Sequence, residues 1–387
     1  MTDPAAAPVV IQATPSPRKC GLVKIKAAVL YGPSEELQIE QVDLADPQPG
    51  DVLVRIVGSG VCGSDAHALA GELPMYAGSF PMVLGHEAAG VVEAVGSDVR
   101  YVRPGDHVVL GWVPGCGHCA QCWNGDPRHC TKLGFSGVLY DGSTRLSKDG
   151  RPIYHMAHIA GFAEYAVVGE RTCVKIREDA PLEKVCLIGC GVRTGYGAVF
   201  GNAKVEPGAS ALVIGCGGVG LNVLQSLRLA GASTIIAVDV SEAKLALAGE
   251  FGATHKVNAK LADPLTAARE ITHGAGVDYA FEVISTPETV RQAFDCTRPD
   301  GTLVVVGVTS PFDAPMSLPA SPRKTVMSGG PTGTQWMNTA MLVDLYMGGR
   351  LMLDELISRE RPLEEVNAAF ADLRAGEVAR TVLVPTH

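Results

Sequence analysis

The order of apolar and polar positions changes along the chain and divides it into two parts. Within residues 24–59, short β-rich apolar runs alternate with turns that contain proline and glycine. This pattern predicts an antiparallel, partly open, barrel-like β domain. From about Val192, apolar runs of strand length alternate with segments of helical periodicity. That alternation predicts a doubly wound parallel sheet, so the predicted fold class is α/β.

The second part resolves into a regular series of predicted elements. The predicted strands are 211–214, 234–238, 255–257, 277–283 and 301–308, and the predicted helices are 219–230, 242–251, 264–272 and 287–296. After a link rich in proline and serine (311–322), two helices (338–348 and 362–375) and a strand from Val378 return to the first domain. Because strand 301–308 ends the series, it is a candidate sheet edge at which two subunits pair.

Length and charge bound the domain organisation and the partners. A chain of 387 residues is long enough for two domains. We predict a flexible N-terminal tail (1–23), a first domain formed by 24–191 with 333–387, and a second domain at 192–332. The net charge of −9 disfavours nucleic acid and anionic membranes as partners, and no apolar run approaches a membrane span in length. The N-terminus lacks the basic start and continuous apolar stretch of a secretion signal, which favours a cytoplasmic location.

Four of the eleven cysteines form the most specific motif of the chain. Cys116, Cys119, Cys122 and Cys130 have C-x2-C-x2-C-x7-C spacing within a glycine- and proline-containing lobe, residues 111–131. Four thiolates at this spacing predict a closed tetrahedral zinc site, which folds the loop and has no open position for a substrate. An iron–sulfur cluster is the chemical alternative, and four unliganded thiols are the other one.

A second set of candidate metal ligands is spread along the chain. Cys62 lies in the segment V-C-G-S-D-A-H, His86 lies at the start of an apolar β segment, and Cys190 lies between glycines. Considered alone, a histidine such as His86 would more often be a core residue, and Cys190 would be either a metal ligand or a buried thiol. Three protein ligands with an open fourth position are, however, typical of a catalytic rather than a structural zinc site.

A glycine motif follows the run Ala-Leu-Val-Ile and predicts a dinucleotide site. Gly215, Gly217 and Gly220 form G-x-G-x-x-G directly after this predicted strand. Glycines at such a strand-to-helix turn let the backbone approach a pyrophosphate at the helix N-terminus, although a glycine-rich loop without a ligand is the alternative. Asp239 lies at the end of the next strand, where a carboxylate would accept hydrogen bonds from a ribose and repel a 2′-phosphate. The pair of motifs favours NAD over NADP.

Taken together, these motifs resemble those of the zinc-dependent medium-chain alcohol dehydrogenase family, from about Lys24 to Val384. C-G-S-D-x-H, G-H-E, the four-cysteine lobe, G-C-G-x-x-T-G-Y-G and G-C-G-G-V-G occur in the order of the family. The resemblance implies a GroES-like catalytic domain, a Rossmann cofactor domain, two zinc ions per chain, NAD, and a homodimer or homotetramer. The long loop with D-G-S-T-R is most similar to that of dimeric alcohol dehydrogenases and thiol-dependent formaldehyde dehydrogenases.

The resemblance also implies roles for individual residues. Cys62, His86 and Cys190 would ligate the catalytic zinc, with Glu87 behind it and Asp65 orienting His86. Ser64 and His67 match the positions of a proton relay. The implied cofactor residues are Thr194, Gly215, Gly217, Gly218, Val219, Gly220, Asp239, Lys244 and Arg380, and those of the substrate channel are Trp112, Met156 and Leu73.

The implied activity is reversible hydride transfer between NAD and a primary or aromatic alcohol, or its aldehyde. The alternatives are a thiol-dependent formaldehyde dehydrogenase, an alcohol dehydrogenase with permanently bound NAD and, remotely, a non-catalytic protein that binds zinc and NAD.

Three residues depart from the family pattern. Gly63 lacks the charge that many relatives place against the pyrophosphate, and Arg193 replaces a small polar residue. Glu72 is one residue away from an acidic position that binds glutathione adducts, so such adducts are less favoured substrates.

Overall fold

The computed structural model describes residues 22–112, 114–132, 137–307, 318, 324–328, 335–376 and 379–387. The strands of its first half are β1 (Val23–Leu30), β2 (Gln38–Leu44), β3 (Asp51–Val61), β4 (Met82–Val83), β5 (Glu87–Val95), β6 (His107–Leu110), β7 (Leu146–Lys148), β8 (Arg151–His155), β9 (Tyr165–Gly169) and β10 (Cys173–Lys175). The later strands are β11 (Ser210–Ile214), β12 (Thr234–Asp239), β13 (His255–Asn258), β14 (Val277–Glu282), β15 (Thr297–Val305), β16 (Thr325–Ser328), β17 (Ile357–Pro362) and β18 (Arg380–Val384).

The α-helices lie mainly in the second half of the chain. They are α1 (Gly63–Ala70), α2 (Ala120–Trp123), α3 (Leu182–Val185), α4 (Gly191–Tyr196), α5 (Gly218–Ala230), α6 (Glu242–Glu250), α7 (Pro264–Ile271), α8 (Pro287–Cys296), α9 (Gln335–Met347) and α10 (Val366–Ala375). A π-helical segment, Gly197–Ala203, continues α4. Most bounds of the predicted helices and strands agree with these within a few residues.

The first domain consists of a small barrel and a larger sheet. Five strands close the barrel in the order β1-β2-β7-β8-β4, and the sheet has the order β10-β6-β5-β3-β18-β17, with β9 also paired to β3. Strand β3 is central in the sheet because it pairs with β5, β9 and β18, and its alternate residues Val52, Val54 and Ile56 are fully buried. The predicted antiparallel barrel-like domain is confirmed, although β4 pairs with β8 and β17 with β18 in parallel.

The cofactor domain is a six-stranded parallel sheet with the order β13-β12-β11-β14-β15-β16. This is the strand order of a Rossmann fold, and it confirms the predicted doubly wound architecture. The strand order reverses between β11 and β14, so a crevice forms at the carboxyl ends of these strands, where such folds bind their ligands. The side chains of Ser241, Asp263 and Thr286 cap the N-termini of α6, α7 and α8.

Two sequence expectations about the sheet ends are wrong. The strand predicted at 301–308 is not an edge, because β15 pairs with β14 on one side and with β16 on the other. The helix predicted from Pro362 begins only at Val366, since Ile357–Pro362 forms strand β17 along β18. Both missed strands carry exposed residues, and so give little apolar signal. The tail at 1–21 and the link at 311–322, apart from Leu318, lie outside the described residues.

The two domains meet along a continuous apolar core. Leu187 and Ile188, just before α4, share one buried cluster with Val213 of β11 and Leu224 of α5. Gly195 of α4 lies so close to Asn222 of α5 that a Cβ at this position would contact it at 2.7 Å. The structure therefore fixes α4 against the start of the cofactor domain. Within the described part of the chain, no helix combines the length and apolarity needed to cross a membrane.

Candidate active site

Three elements of the first domain bring together a buried cluster of metal-ligand side chains. Cys62 follows β3 at the start of α1, His86 and Glu87 lie at the start of β5, and Cys190 precedes α4. One ligand atom from each of these four residues lies within 4.8 Å of the others, and all four side chains are buried. The predicted Cys/His/Cys set is therefore assembled in space, with Glu87 beside it.

Asp65 holds two of these residues in place. As the third residue of α1, it accepts a hydrogen bond from the Cys62 backbone N–H at 3.0 Å, as acidic residues do at this position of a helix. Its other oxygen accepts from the Gly85 N–H at 3.0 Å and lies 3.1 Å from His86 Nδ1. A carboxylate only accepts, so Nδ1 carries the hydrogen and Nε2 of His86 is left as the ligand atom.

The donor set of this cluster fits a zinc ion. His86 Nε2 is fully buried and has no hydrogen-bond partner among the described residues. The hydrogen bond between the two thiols lowers the pKa of Cys62 well below its ordinary value and raises that of Cys190. Buried sulfur and imidazole donors around a common centre are the usual ligands of zinc.

Glu87 connects the cluster to the C-terminal strand. Its Oε1 accepts from the Gly191 N–H at 3.0 Å and lies 3.5 Å from Nη2 of Arg380. Burial raises the pKa of Glu87 to about 8, against the opposite effect of the Arg380 charge. The Arg380 side chain also contacts the backbone of Gly191 and Gly218 so closely that a Cβ at either glycine would overlap it. Arg380 thus lies between the metal cluster and the glycine motif.

The four-cysteine lobe forms a second, more exposed cluster. The sulfur of Cys122 lies 3.6 Å from that of Cys119 and 4.0 Å from that of Cys116, and Cys119 and Cys130 are also 4.0 Å apart. A tetrahedral zinc with bonds of about 2.3 Å would place its sulfurs about 3.8 Å apart. The backbone N–H of Cys122 donates to Cys119 and lowers the pKa of that thiol to about 5. The lobe therefore fits the predicted structural zinc site.

The glycine motif forms the turn from β11 into α5. Gly215 has a φ of 94°, which favours glycine, and a Cβ at Gly220 would overlap the Gly215 carbonyl oxygen. Gly217 is different, since a Cβ there would have nothing within 4 Å. Gly217, Gly218 and Val219 line the cleft between the domains, so the start of α5 is open to a phosphate group. This arrangement fits a dinucleotide.

Asp239 lies at the end of β12, next to the glycine turn. Its carboxylate accepts hydrogen bonds from the Cys216 N–H at 2.8 Å, the Val240 N–H at 2.8 Å and the Ser241 N–H at 3.0 Å. These three bonds fix the carboxylate where it lines the cleft, as Lys244 also does. The ribose contact predicted from the sequence is compatible with this placement and stays a prediction.

A cleft of about 570 Å³ joins the metal cluster to the glycine turn. Its described lining includes Cys62, Ser64, His67, Trp112, Cys190 and Thr194, besides the cofactor residues above. The Thr194 hydroxyl is buried and has no hydrogen-bond partner among the described residues, so a ligand in the cleft could bind it. Met156 and Leu73 share an apolar cluster with Trp112 but are not part of the described lining. Their place in a substrate channel stays a prediction.

Two residues near the cleft escaped a full assignment from sequence. Glu72 Oε2 lies 2.6 Å from Nδ1 of His67. The sequence carried one sign of this contact, because Glu72 directly follows Gly71, the glycine that ends the helix of His67. Arg193 is 2% exposed, and its Nε and Nη2 have no hydrogen-bond partner within the described part of the chain. Burial lowers the pKa of this guanidinium to about 10. The described contacts give no physical account of an arginine at this position.

Comparisons with known proteins agree with this geometry. The model of the alcohol dehydrogenase GroES-like domain matches residues 48–178, and that of the zinc-binding dehydrogenase domain matches residues 218–340. The S-(hydroxymethyl)glutathione dehydrogenase of Paracoccus denitrificans is 39% identical over 386 residues, which cover 94% of this chain and 100% of that protein.

Solved structures extend the likeness to the whole fold. An alcohol dehydrogenase zinc-binding domain protein from Burkholderia ambifaria is 36% identical with a TM-score of 0.89, and the match covers 95% of this chain and 100% of that one. For the benzyl alcohol dehydrogenase of Acinetobacter calcoaceticus, the identity is 33% and the TM-score 0.85, with 94% and 100% of the two chains covered. The chain thus belongs to the family of zinc-dependent medium-chain alcohol dehydrogenases, oxidoreductases with an NAD-binding domain.

Proposed function

We propose that this chain oxidises primary or aromatic alcohols reversibly, with NAD as hydride acceptor and zinc held by Cys62, His86 and Cys190. The observation that carries the proposal is that Cys62, Cys190 and the glycine turn all line one cleft. When bound, the two groups supply Lewis acidity at the alcohol oxygen and a nicotinamide that accepts hydride. The four-cysteine lobe would hold a second, structural zinc.

The chain itself would remove the alcohol proton. Ser64 and His67 line the same cleft as Cys62, and both lie on α1. Ser64 would pass the proton of the alcohol hydroxyl to His67, and the His67 imidazole would pass a proton on to solvent. His67→Ala should therefore slow turnover, and imidazole added to the buffer should restore part of the rate.

The cofactor would lie across the turn between β11 and α5. Gly217, Gly218 and Val219 would face the pyrophosphate, with the Arg380 charge close to Gly218. The Asp239 carboxylate would bind the adenosine ribose and disfavour NADP, with Lys244 beside it in the cleft lining. The Thr194 hydroxyl, which has no hydrogen-bond partner in the part of the chain that the structure describes, would meet the nicotinamide end.

The substrate class rests on Trp112 and on the relatives. Trp112 places an indole ring in the cleft lining, which suits an aromatic or short primary alcohol better than a polyol. A thiol adduct of formaldehyde is the second candidate, because the Paracoccus denitrificans relative is named for such a substrate.

An NADH-absorbance assay over alcohols and aldehydes, with and without low-molecular-weight thiols, separates these candidates. We expect turnover of benzyl-type and short primary alcohols without thiol, on protein that contains about two zinc ions per chain. Turnover of formaldehyde only when a thiol is present would favour the second candidate. Activity without added NAD would indicate a permanently bound cofactor.

We also propose that the protein is a cytoplasmic homo-oligomer. None of the ten cysteines of the described residues forms a disulfide, which is usual in a reducing compartment. At the end of the cofactor sheet, β16 carries an exposed Val326 (47%) and pairs on its outer side with no described strand, so this edge is a candidate for pairing with a second copy. Light scattering coupled to size-exclusion chromatography should give a dimer or tetramer, and a monomer at assay concentration would contradict this part.

A further inference from the structure

Glu72 is attached to His67 through both its main chain and its side chain. The Glu72 backbone N–H donates to the His67 carbonyl at 2.9 Å, and the Gly71 N–H donates to the Ala68 carbonyl at 3.0 Å. With Gly71 at a φ of 75°, this is the hydrogen-bond pattern of a Schellman motif at the end of α1. The same turn places Glu72 Oε2 at 2.6 Å from His67 Nδ1.

The neighbours of this turn fix its backbone in place. A Cβ at Gly71 would lie 2.7 Å from the ring of Pro33, so the turn packs closely against that loop. The Ser34 N–H donates to the Leu69 carbonyl at 2.6 Å and attaches the same loop to α1. On the other side of Glu72, Leu73 is buried in the apolar cluster of the first domain. The fold thus fixes the backbone from which Glu72 contacts His67, while the Glu72 side chain itself is 38% exposed.

The contact determines which nitrogen of His67 can accept a proton. An ionised carboxylate only accepts hydrogen bonds, so the Nδ1 that faces Glu72 carries the hydrogen in the neutral ring. Nε2 is then the only acceptor of the imidazole, and His67 lines the cleft together with Ser64. The carboxylate also faces the ring on which positive charge would develop when Nε2 takes up a proton.

We propose that Glu72 is a positioning residue for proton transfer, which holds His67 as the Nδ1–H tautomer so that Nε2 accepts the substrate proton. This inference rests on the proposed relay through Ser64 and His67. It predicts that loss of the Glu72 acceptor changes the tautomer of His67 and the rate of turnover, but not the binding of alcohol.

The tautomer can be measured without any assay of activity. In protein labelled with ¹⁵N-histidine, and with the His67 signals assigned by their loss in His67→Gln, the neutral ring should show a protonated Nδ1. Glu72→Ala should move these signals towards the Nε2–H form. Glu72→Gln keeps an acceptor oxygen at the same distance along the side chain and should largely retain the original tautomer. Identical ring signals in wild type and Glu72→Ala would overturn the proposal.

Steady-state kinetics give the second readout. We expect Glu72→Ala to lower kcat about tenfold with the alcohol KM unchanged, and imidazole in the buffer to restore part of the rate. Glu72→Gln should stay within about threefold of wild type, since the tautomer is kept. As a matched control, Glu36→Ala removes an exposed carboxylate from the loop after Pro33 and should leave kcat unchanged. A kcat of Glu72→Ala equal to that of wild type would contradict the inference.

The two measurements separate this inference from the proposed relay. If His67→Ala turns over at the wild-type rate, the relay itself is wrong, and a tautomer change in Glu72→Ala would not affect catalysis. If His67→Ala is slow and is rescued by imidazole while Glu72→Ala behaves as wild type in both readouts, the relay stands and the role of Glu72 is wrong.

Discussion

In both cysteine clusters of this chain the four candidate ligand atoms lie within 4.8 Å of one another, but the chain brings them together differently. The lobe takes its four thiols from one segment of fifteen residues, 116–130, and these side chains stay partly exposed. The other cluster takes Cys62, His86 and Cys190 from three distant elements and buries them against a cleft. The first can therefore form locally, whereas the second exists only once the domain has folded.

The surroundings of the clusters differ as much as their assembly. Around the lobe, polar contacts are mainly backbone N–H groups directed at sulfur, such as Cys116 N–H to Cys130 Sγ at 3.3 Å. Around the buried cluster, two carboxylates take part instead, since Asp65 contacts the ligand His86 and Glu87 contacts Arg380. Closed coordination stabilises a loop, while oriented ligands beside a cleft suit chemistry on a substrate.

The largest expected effect comes from breaking the buried cluster. Cys62→Ser should reduce kcat/KM by about a thousandfold or more, because the catalytic zinc loses a ligand next to the substrate. The zinc content should fall from about two to about one ion per chain, with little change in Tm. Turnover assays with metal analysis check this. Cys296→Ser, at an equally buried cysteine of the cofactor domain, is the control and should keep full activity.

Breaking the lobe should instead act on stability. Cys119→Ser should also remove about one zinc ion per chain, but its main effect should be a Tm lower by roughly 5 °C or more. At temperatures where the variant is folded, kcat should stay within about tenfold of wild type, because no described lobe cysteine lines the cleft. A loss of turnover as complete as in Cys62→Ser would remove the distinction between the clusters.

Each cluster has a carboxylate beside a histidine, and substitution of these two carboxylates compares the clusters further. Asp65→Asn keeps the shape of the side chain but can donate to His86 Nδ1, which disturbs the tautomer that zinc requires. We expect zinc affinity or turnover to fall about 10- to 100-fold. In the lobe, Asp126 lies 2.8 Å from Nδ1 of His129, in a similar carboxylate–imidazole contact, yet neither residue is a ligand there. Asp126→Asn should therefore leave kinetics and zinc content unchanged, and equal effects of the two substitutions would be evidence against an orienting role.

The smallest expected effects lie at the glycine turn between β11 and α5. A Cβ at Gly217 has open space towards the cleft, so Gly217→Ala should fold with wild-type Tm but raise the KM for NAD about tenfold. Gly220→Ala is the matched variant, because its Cβ would overlap the Gly215 carbonyl, and it should lower Tm as well. Thermal unfolding and NAD titration separate the two. Unchanged NAD affinity in Gly217→Ala would argue against a pyrophosphate at this turn.

Prediction from sequence succeeded where a signal is local. The spacing of Cys116, Cys119, Cys122 and Cys130, and that of the glycines after β11, follow directly from the order of residues. Helix and strand periodicity also gave the parallel sheet, because buried strands and amphipathic helices repeat regularly. It failed at β16 and β17, whose exposed residues carry little periodic signal, and so it assigned the sheet edge to the wrong strand.

The sequence by itself determined the chemical inventory of this protein: which ligands exist, how the lobe cysteines are spaced, and where a nucleotide turn can form. Only the tertiary structure brought Cys62, His86 and Cys190 within 4.8 Å, placed Arg380 between the metal cluster and Gly218, and held Glu72 against His67. The physical reason is that these contacts join segments that are distant in sequence, or depend on the exact end of a helix. Their distances are set by packing of whole elements, such as β3, α4 and β18, and not by the spacing of residues along the chain.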